Sequence, residues 1–229
     1  MNWEIIYQSL PKLLEGAQLT LELVAITVTV GLILAIPVGV ARASKHWYVR
    51  LLPSTYVFFF RGTPLLLQLF LVYYGLSQFE AVRKGPLWPY LREPYWCAIF
   101  AMTLHTAAYI SEIIRGAIKG VPKGEIEAAY ALGMSKTQAL WHIILPRAAR
   151  IGLPAYSNEV ILMLKASSLA STVTLVEITG MARTLSSKNY MPLEMYFAAG
   201  VCYLLLSFFL VQIFRVIEKK LRVDSLRAA

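Results

Sequence analysis

The chain is 229 residues long, 58% hydrophobic and only 15% charged, with a net charge of +9. Soluble domains carry about 25% charged residues, so the composition excludes a water-soluble domain and points to a membrane protein of at most five or six spans, each needing about 20 apolar residues. The positive charge does not imply nucleic acid: the basic residues sit in short stretches beside apolar runs, the pattern that orients membrane proteins.

In chain order, Met1 to Gly16 carries Glu4 and Glu15 and lacks the basic start and small-residue cleavage site of a secretory signal, so the first span is expected to stay in the mature protein. That span is expected over Leu19–Val40, with Glu22 near its outer end as an interfacial or gate residue. Arg42, Lys45 and Arg50 follow. A second apolar region, Tyr56–Leu76, is broken by Arg61-Gly62-Thr63-Pro64. Proline suits the first turn of a helix, so a short interfacial helix is expected before Arg61 and the true second span after Thr63. Arg61 is expected to snorkel to headgroups. The connection Gln78–Pro94 holds Gly85, Pro86, Pro89 and Pro94, which exclude a long helix. Its Trp88 and Tyr90, with Trp96, suit an interfacial aromatic belt.

The third span is expected over Tyr95–Ile114, ending at Glu112 and Arg115. His105 within it has only Glu112 near ligand spacing and reads as a packed histidine, not a metal ligand. A patterned polar loop covers about residues 117–150. The fourth span, Leu153–Val176, is studded with polar groups. A second polar connection, Glu177–Leu193, precedes the last span, Met195–Val216, and a basic tail. Cys97 and Cys202 lie in apolar runs and read as small buried hydrophobes.

Five spans put the termini on opposite sides. Most of the 22 Lys and Arg fall after span one, after span three and from Arg215 onward, including Arg222 and Arg227. The other side holds Lys12, Arg83, Lys84, Arg92, Arg183 and Lys188. The excess predicts an N-terminus outside and a cytoplasmic loop and C-terminus.

The loop has its own local logic. Pro122 is placed to start a helix, and Glu125 and Glu127 lie in its first turns, where the helix dipole favours negative charge. Ala128, Ala129 and Ala131 give a smooth small-residue face. Gly133 is placed to end the helix in the left-handed conformation. Ser135-Lys136-Thr137-Gln138 is a capping box that opens a second helix, expected to run to about Leu145 and stop near Pro146. The resulting helix–turn–helix is either an elbow packed on its own bundle or a docking knob for a partner.

Glu127-Ala128-Ala129, three residues, Gly133, nine residues, and Ile143-Ile144-Leu145-Pro146 resembles the signature loop of ABC importer permeases. Phe60-Arg61-Gly62-Thr63-Pro64, Ala108 to Gly116 and Lys165-Ala166-Ser167-Ser168-Leu169 resemble the polar amino acid uptake branch. Leu153 to Leu164 looks most like the M-type permease subunit of histidine/lysine/arginine/ornithine importers. The resemblance implies an all-α membrane protein of the type I importer fold, a single permease domain over residues 1–229 of five transmembrane helices with a coupling helix–turn–helix. It also implies residence in a bacterial inner membrane. The implied partners are a second permease subunit (itself or a relative), two cytoplasmic ATPase subunits and an extracytoplasmic amino acid-binding protein. Glu127, Ala128, Ala129, Gly133, Ile143, Leu145 and Pro146 would form the ATPase-coupling contact. No G-x-x-x-x-G-K-[ST] occurs, so ATP and Mg would be used by the partner ATPase and the chain would be a transport subunit without catalytic residues, cofactor or metal.

Charged groups within a bilayer need a partner, a cavity or water. Asn158, Lys165 and Thr172 recur at seven-residue steps and are expected on one helix face. Glu159 lies about 100° from Asn158 and about 120° from Lys165, too far round for an in-helix ion pair. A zwitterionic amino acid offers an ammonium for Glu159 and a carboxylate for Asn158 or Ser157. Ser157, Asn158, Glu159, Lys165, Ser168 and Thr172 are therefore the candidate substrate contacts, against the alternative that the charges serve assembly. Two rival functions remain. A secondary transporter would use Glu159, Lys165 and His105 as an ion relay, on a fold that usually carries more spans in repeat halves. A membrane enzyme would need a paired-carboxylate, Ser/His or metal constellation that the sequence lacks.

Overall fold

Without water in a bilayer, backbone polar groups must be satisfied internally, and long apolar runs without turn signals satisfy them as helix. In the computed structural model residues 1–221 are described, and they are helical almost throughout. Arg222 and Arg227 of the basic tail lie outside the described residues.

Helix α1 spans Trp3–Ala43, 41 residues, or roughly 60 Å. It begins far ahead of the expected Leu19 because Asn2 caps it, its side chain accepting from the Ile5 amide at 3.4 Å. The added turns bury Leu13 and Ala17 against the last two helices. Helix α2 (Trp47–Gly62) stops at Thr63-Pro64, and α3 (Leu65–Phe70) continues through a π turn, Leu71–Gly75, and a 3-10 turn, Leu76–Gln78. The chain bends by 103° between the two arms. The segment after Thr63 is only about 21 Å long, against a hydrocarbon core of about 30 Å. It is therefore one arm of a bent pair, not the full second span expected. Two short helices, α4 (Glu80–Arg83) and α5 (Trp88–Leu91), occupy the proline-rich connection.

Helix α6 (Pro94–Lys119) runs alongside α1 for most of its length. The approach is close at Gly39, where an added Cβ would lie 2.8 Å from both the Ile114 side chain and the Ser111 carbonyl oxygen. Small residues of this kind let membrane helices pack backbone to backbone. Helix α7 (Lys123–Ala131) and α8 (Lys136–Ala139) form the loop, with Pro122 as the cap of α7 and not its first residue.

The second loop helix does not stop at Pro146. It passes through a π turn, Leu140–Ile144, into α9, Leu145–Ala166, with Pro146 in the first turn. The widened turn just ahead of Pro146 accommodates its ring and missing N–H. The helix then tightens to 3-10 over Ser167–Val173 and ends at Thr174 with φ 71°.

The expected polar connection after Val176 is instead helix α10, Ile178–Asn189. Ile178, Ala182 and Leu185, spaced for one helix face, are buried against α1 and α11 (Pro192–Leu221). Among the described residues three helices, α1, α6 and α11, are long and apolar enough to cross a membrane alone; counting each bent pair as one span brings the total to five. The main core gathers Leu23, Val28, Leu69, Met102, Met163 and Leu164 from four helices. Cys97 and Cys202 are both buried free thiols.

Candidate functional site

The turn between α7 and α8 is held by caps on both sides. At the finish of α7, the Gly133 amide donates to Tyr130 O at 2.9 Å and the Met134 amide to Ala129 O at 3.1 Å, the paired bonds of a Schellman cap. Gly133 sits at φ +81°, with nothing within 4 Å of an added Cβ, so the backbone conformation alone calls for glycine. The next turn opens with the complete Ser135/Gln138 capping box, at 2.9 and 3.3 Å. Beneath α7, Ile126, Val121, Ala117, Ala148 and Ile144 form a small separate core, while the Arg147 Nε lies 3.1 Å from Glu125 Oε1. The knob is thus seated on the first turns of α9. Ala129 faces inward, whereas Glu127, Ala128, Gly133 and the 81%-exposed Leu132 face out. Of the remaining loop positions, Ile143 is half-buried, and Leu145 and Pro146 border an apolar cavity.

Inside the bundle, the candidate substrate residues separate. Glu159 is buried and has no hydrogen bond or ion pair among the described residues. Asn158 and Lys165 are exposed on one stripe of α9. Thr172 leaves that stripe: three residues per turn from Ser167 onward carry it roughly a quarter turn away, and its hydroxyl donates to Leu169 O at 2.6 Å. The Ser168 hydroxyl likewise bonds back to Lys165 O at 2.7 Å. Ser157 is buried and reaches Glu218 Oε1 on α11 at 3.1 Å, which ties it to the neighbouring helix.

A third grouping surrounds the α2–α3 break, where bending leaves carbonyls without helical partners. Gln68 takes them up: its Nε2 donates to Phe60 O at 2.9 Å and Thr63 O at 3.1 Å, and lies 2.8 Å from the Thr63 hydroxyl. Its Oε1 then accepts from His105 Nδ1 at 3.0 Å, which fixes the histidine tautomer. His105 stacks on Tyr109 at 4.8 Å, and the Arg61 guanidinium lies over the Tyr109 ring at 5.1 Å. Arg61 is also 4.0 Å from Glu112, which pairs with Arg42 and Arg115. His105 is therefore a packed histidine bonded to a neighbour, and no group of three metal-ligating side chains occurs among the described residues. Arg61 is held by Tyr109 and Glu112, where snorkelling to headgroups was expected. Glu22 accepts from the Tyr95 hydroxyl at 2.5 Å, joining α1 to α6.

The family model for the binding-protein-dependent transport system inner membrane component matches residues 28–223. The chain belongs to this family. The octopine transport system permease protein of Rhizobium meliloti is 47% identical over 93% of this chain and 87% of the relative. The histidine/lysine/arginine/ornithine transport system permease protein of Salmonella typhimurium is 42% identical over 90% of this chain and 88% of the relative. Among solved structures, the crystal structure of an amino acid ABC transporter with histidines superposes with a TM-score of 0.86 at 30% identity, covering 96% of this chain and 99% of that one. The permease is therefore an all-helical inner-membrane component with the importer fold.

Two organising residues of this permease escape sequence reasoning. Gln68 shows only as an amide inside the apolar run Leu65–Tyr74, a signal that was available. Glu177, assigned to a connection, is fully buried. Its carboxylate accepts from the Thr179 and Gly180 amides at 3.0 and 2.9 Å and from the Tyr203 hydroxyl at 2.5 Å, with the Thr20 hydroxyl at 3.5 Å. It caps α10 and pins that helix to α1 and α11 at once.

Proposed function

We propose that this permease forms the translocation path of an ATP-driven importer for amino acids, cationic ones in particular, and takes its driving force from a separate ATPase docked on α7. The observation that carries the reading is mechanical. A knob locked by two caps is seated on the start of one continuous helical run, Lys136–Val173, which also bears the buried, unpaired Glu159. The octopine and histidine/lysine/arginine/ornithine names of the relatives support the cargo class, and a carboxylate near the path suits a cationic side chain. In this reading the N-terminus is outside and α7 cytoplasmic. A second permease, this chain again or a related one, covers the exposed Asn158–Lys165 stripe, and a binding protein delivers cargo from outside. ATP and Mg belong to the ATPase. Membership in a binding-protein-dependent family argues against the ion-relay transporter.

The test uses the reconstituted complex. Gly133→Asp is expected to leave the complex in the membrane and ATP hydrolysis measurable while uptake falls by an order of magnitude or more. Undiminished uptake would remove the docking role. Glu159→Gln is expected to weaken uptake of arginine, lysine and ornithine while assembly persists; if the complex fails to assemble, the carboxylate serves structure and not cargo.

A further inference from the structure

Where α9 begins and α11 ends, the permease holds a cleft of about 620 Å³. Arg150, Arg215 and Lys219 line it together with Ile151, Leu153 and Leu221. Glu218, its one acidic wall residue among the described residues, accepts from the Ser157 hydroxyl, and Arg147 is paired with Glu125. None of Arg150, Arg215 and Lys219 has an ion-pair partner among the described residues. Leu153 is also a wall of a second cavity of about 530 Å³, lined by Leu32, Ile114, Trp141 and Tyr156 and almost wholly apolar. A cationic recess thus shares a leucine wall with a hydrocarbon-like one, at the end of the bundle where the basic residues collect.

We propose that this pair of cavities is a binding site for an anionic phospholipid, its phosphodiester held by Arg150, Arg215 and Lys219 and an acyl chain passing Leu153 toward Trp141. The charge calls for an anion, and basic pockets between membrane helices on the cytoplasmic side hold anionic headgroups. The adjoining apolar cavity distinguishes a lipid from the acidic surface of a protein, which would match the cations and leave the hydrocarbon walls uncovered. Placement in the inner leaflet rests on the orientation given under the proposed function. The binding itself does not, since it is measured in detergent.

The test is lipid retention by the purified transporter complex, read by native mass spectrometry with phosphatidylglycerol, phosphatidylcholine, or phosphatidylglycerol plus excess inorganic phosphate. Phosphatidylglycerol is expected to be retained over phosphatidylcholine and to resist phosphate. Lys219→Gln, at an exposed position, is expected to weaken retention about fivefold, the equivalent of about 1 kcal/mol per cation near an anionic surface. The triple variant R150Q/R215Q/K219Q is expected to weaken it on the order of a hundredfold. Equal retention of both lipids, full competition by phosphate, or unchanged retention by Lys219→Gln would each overturn the proposal. So would a triple variant that keeps its lipid but sheds the ATPase, which would assign the cations to a protein surface. Loss of coupling at Gly133 leaves this readout untouched, so the two ideas fail separately.

Discussion

Removing the Glu177 carboxylate tests whether one buried side chain fastens three helices. Glu177→Ala strips the N-cap from α10, leaving the Thr179 and Gly180 amides without their acceptor. Loss of such a cap costs about 1–2 kcal/mol. It also takes the acceptor from Tyr203, whose remaining partner is the Thr179 hydroxyl at 3.2 Å. A hydrogen bond to a charged group contributes about 1.5–3 kcal/mol. The sum is roughly 3–5 kcal/mol, before any collapse of the space that the side chain leaves. At about 2–4 °C per kcal/mol for a chain of this size, the detergent-solubilised complex should melt on the order of 10 °C lower. Glu177→Gln keeps the volume and one carbonyl oxygen and should fall between. Hydrogen exchange should quicken at Thr179 and Gly180 in both variants. An alanine variant melting within about 2 °C of the parent would refute the account.

Gly39→Ala sets a methyl against Ile114 and the Ser111 carbonyl, and should cost about 1–3 kcal/mol by overpacking. A melting temperature equal to the parent's would mean that α1 and α6 separate freely. Gln68→Leu should cost about 2–4 kcal/mol, because the Phe60 and Thr63 carbonyls and His105 lose a shared partner inside the bundle; unchanged thermal stability would sink that assignment. Thr174 holds φ 71°, a conformation that costs a non-glycine residue about 1–2 kcal/mol. Thr174→Gly should therefore raise the melting temperature by a few degrees, and a lower one would show that the threonine side chain is needed at that joint.

What the sequence discloses here is what short-range chemistry decides. Gly133, Ser135 and Gln138 act within a few residues of one another, so the caps of the loop could be read without knowing the fold. The break at Thr63-Pro64 was equally local. Pro146 misled because a proline is an ordinary stop in a helix, and the π turn that admits it has no one-residue signature. Helix α10 was missed for a different reason. Its cap is a glutamate whose other donors, Thr20 and Tyr203, arrive from distant parts of the chain, while Arg183 and Lys188 made the segment look like a solvated link. The stripe on α9 was correct from Asn158 to Lys165 and failed at Thr172, where the turn tightens.

The π turn at Leu140–Ile144 also says something about register. A π turn fits one extra residue into a helix while the flanking turns keep their phase. Shortening the chain by one residue there would restore ordinary helix and leave α7 and Glu159 facing as they do now. The same deletion between Glu159 and Lys165 has no slack to absorb it and would rotate everything beyond by about 100°. The segment between α7 and α9 is thus a stretch whose length can drift by a residue without turning the face that carries Glu159.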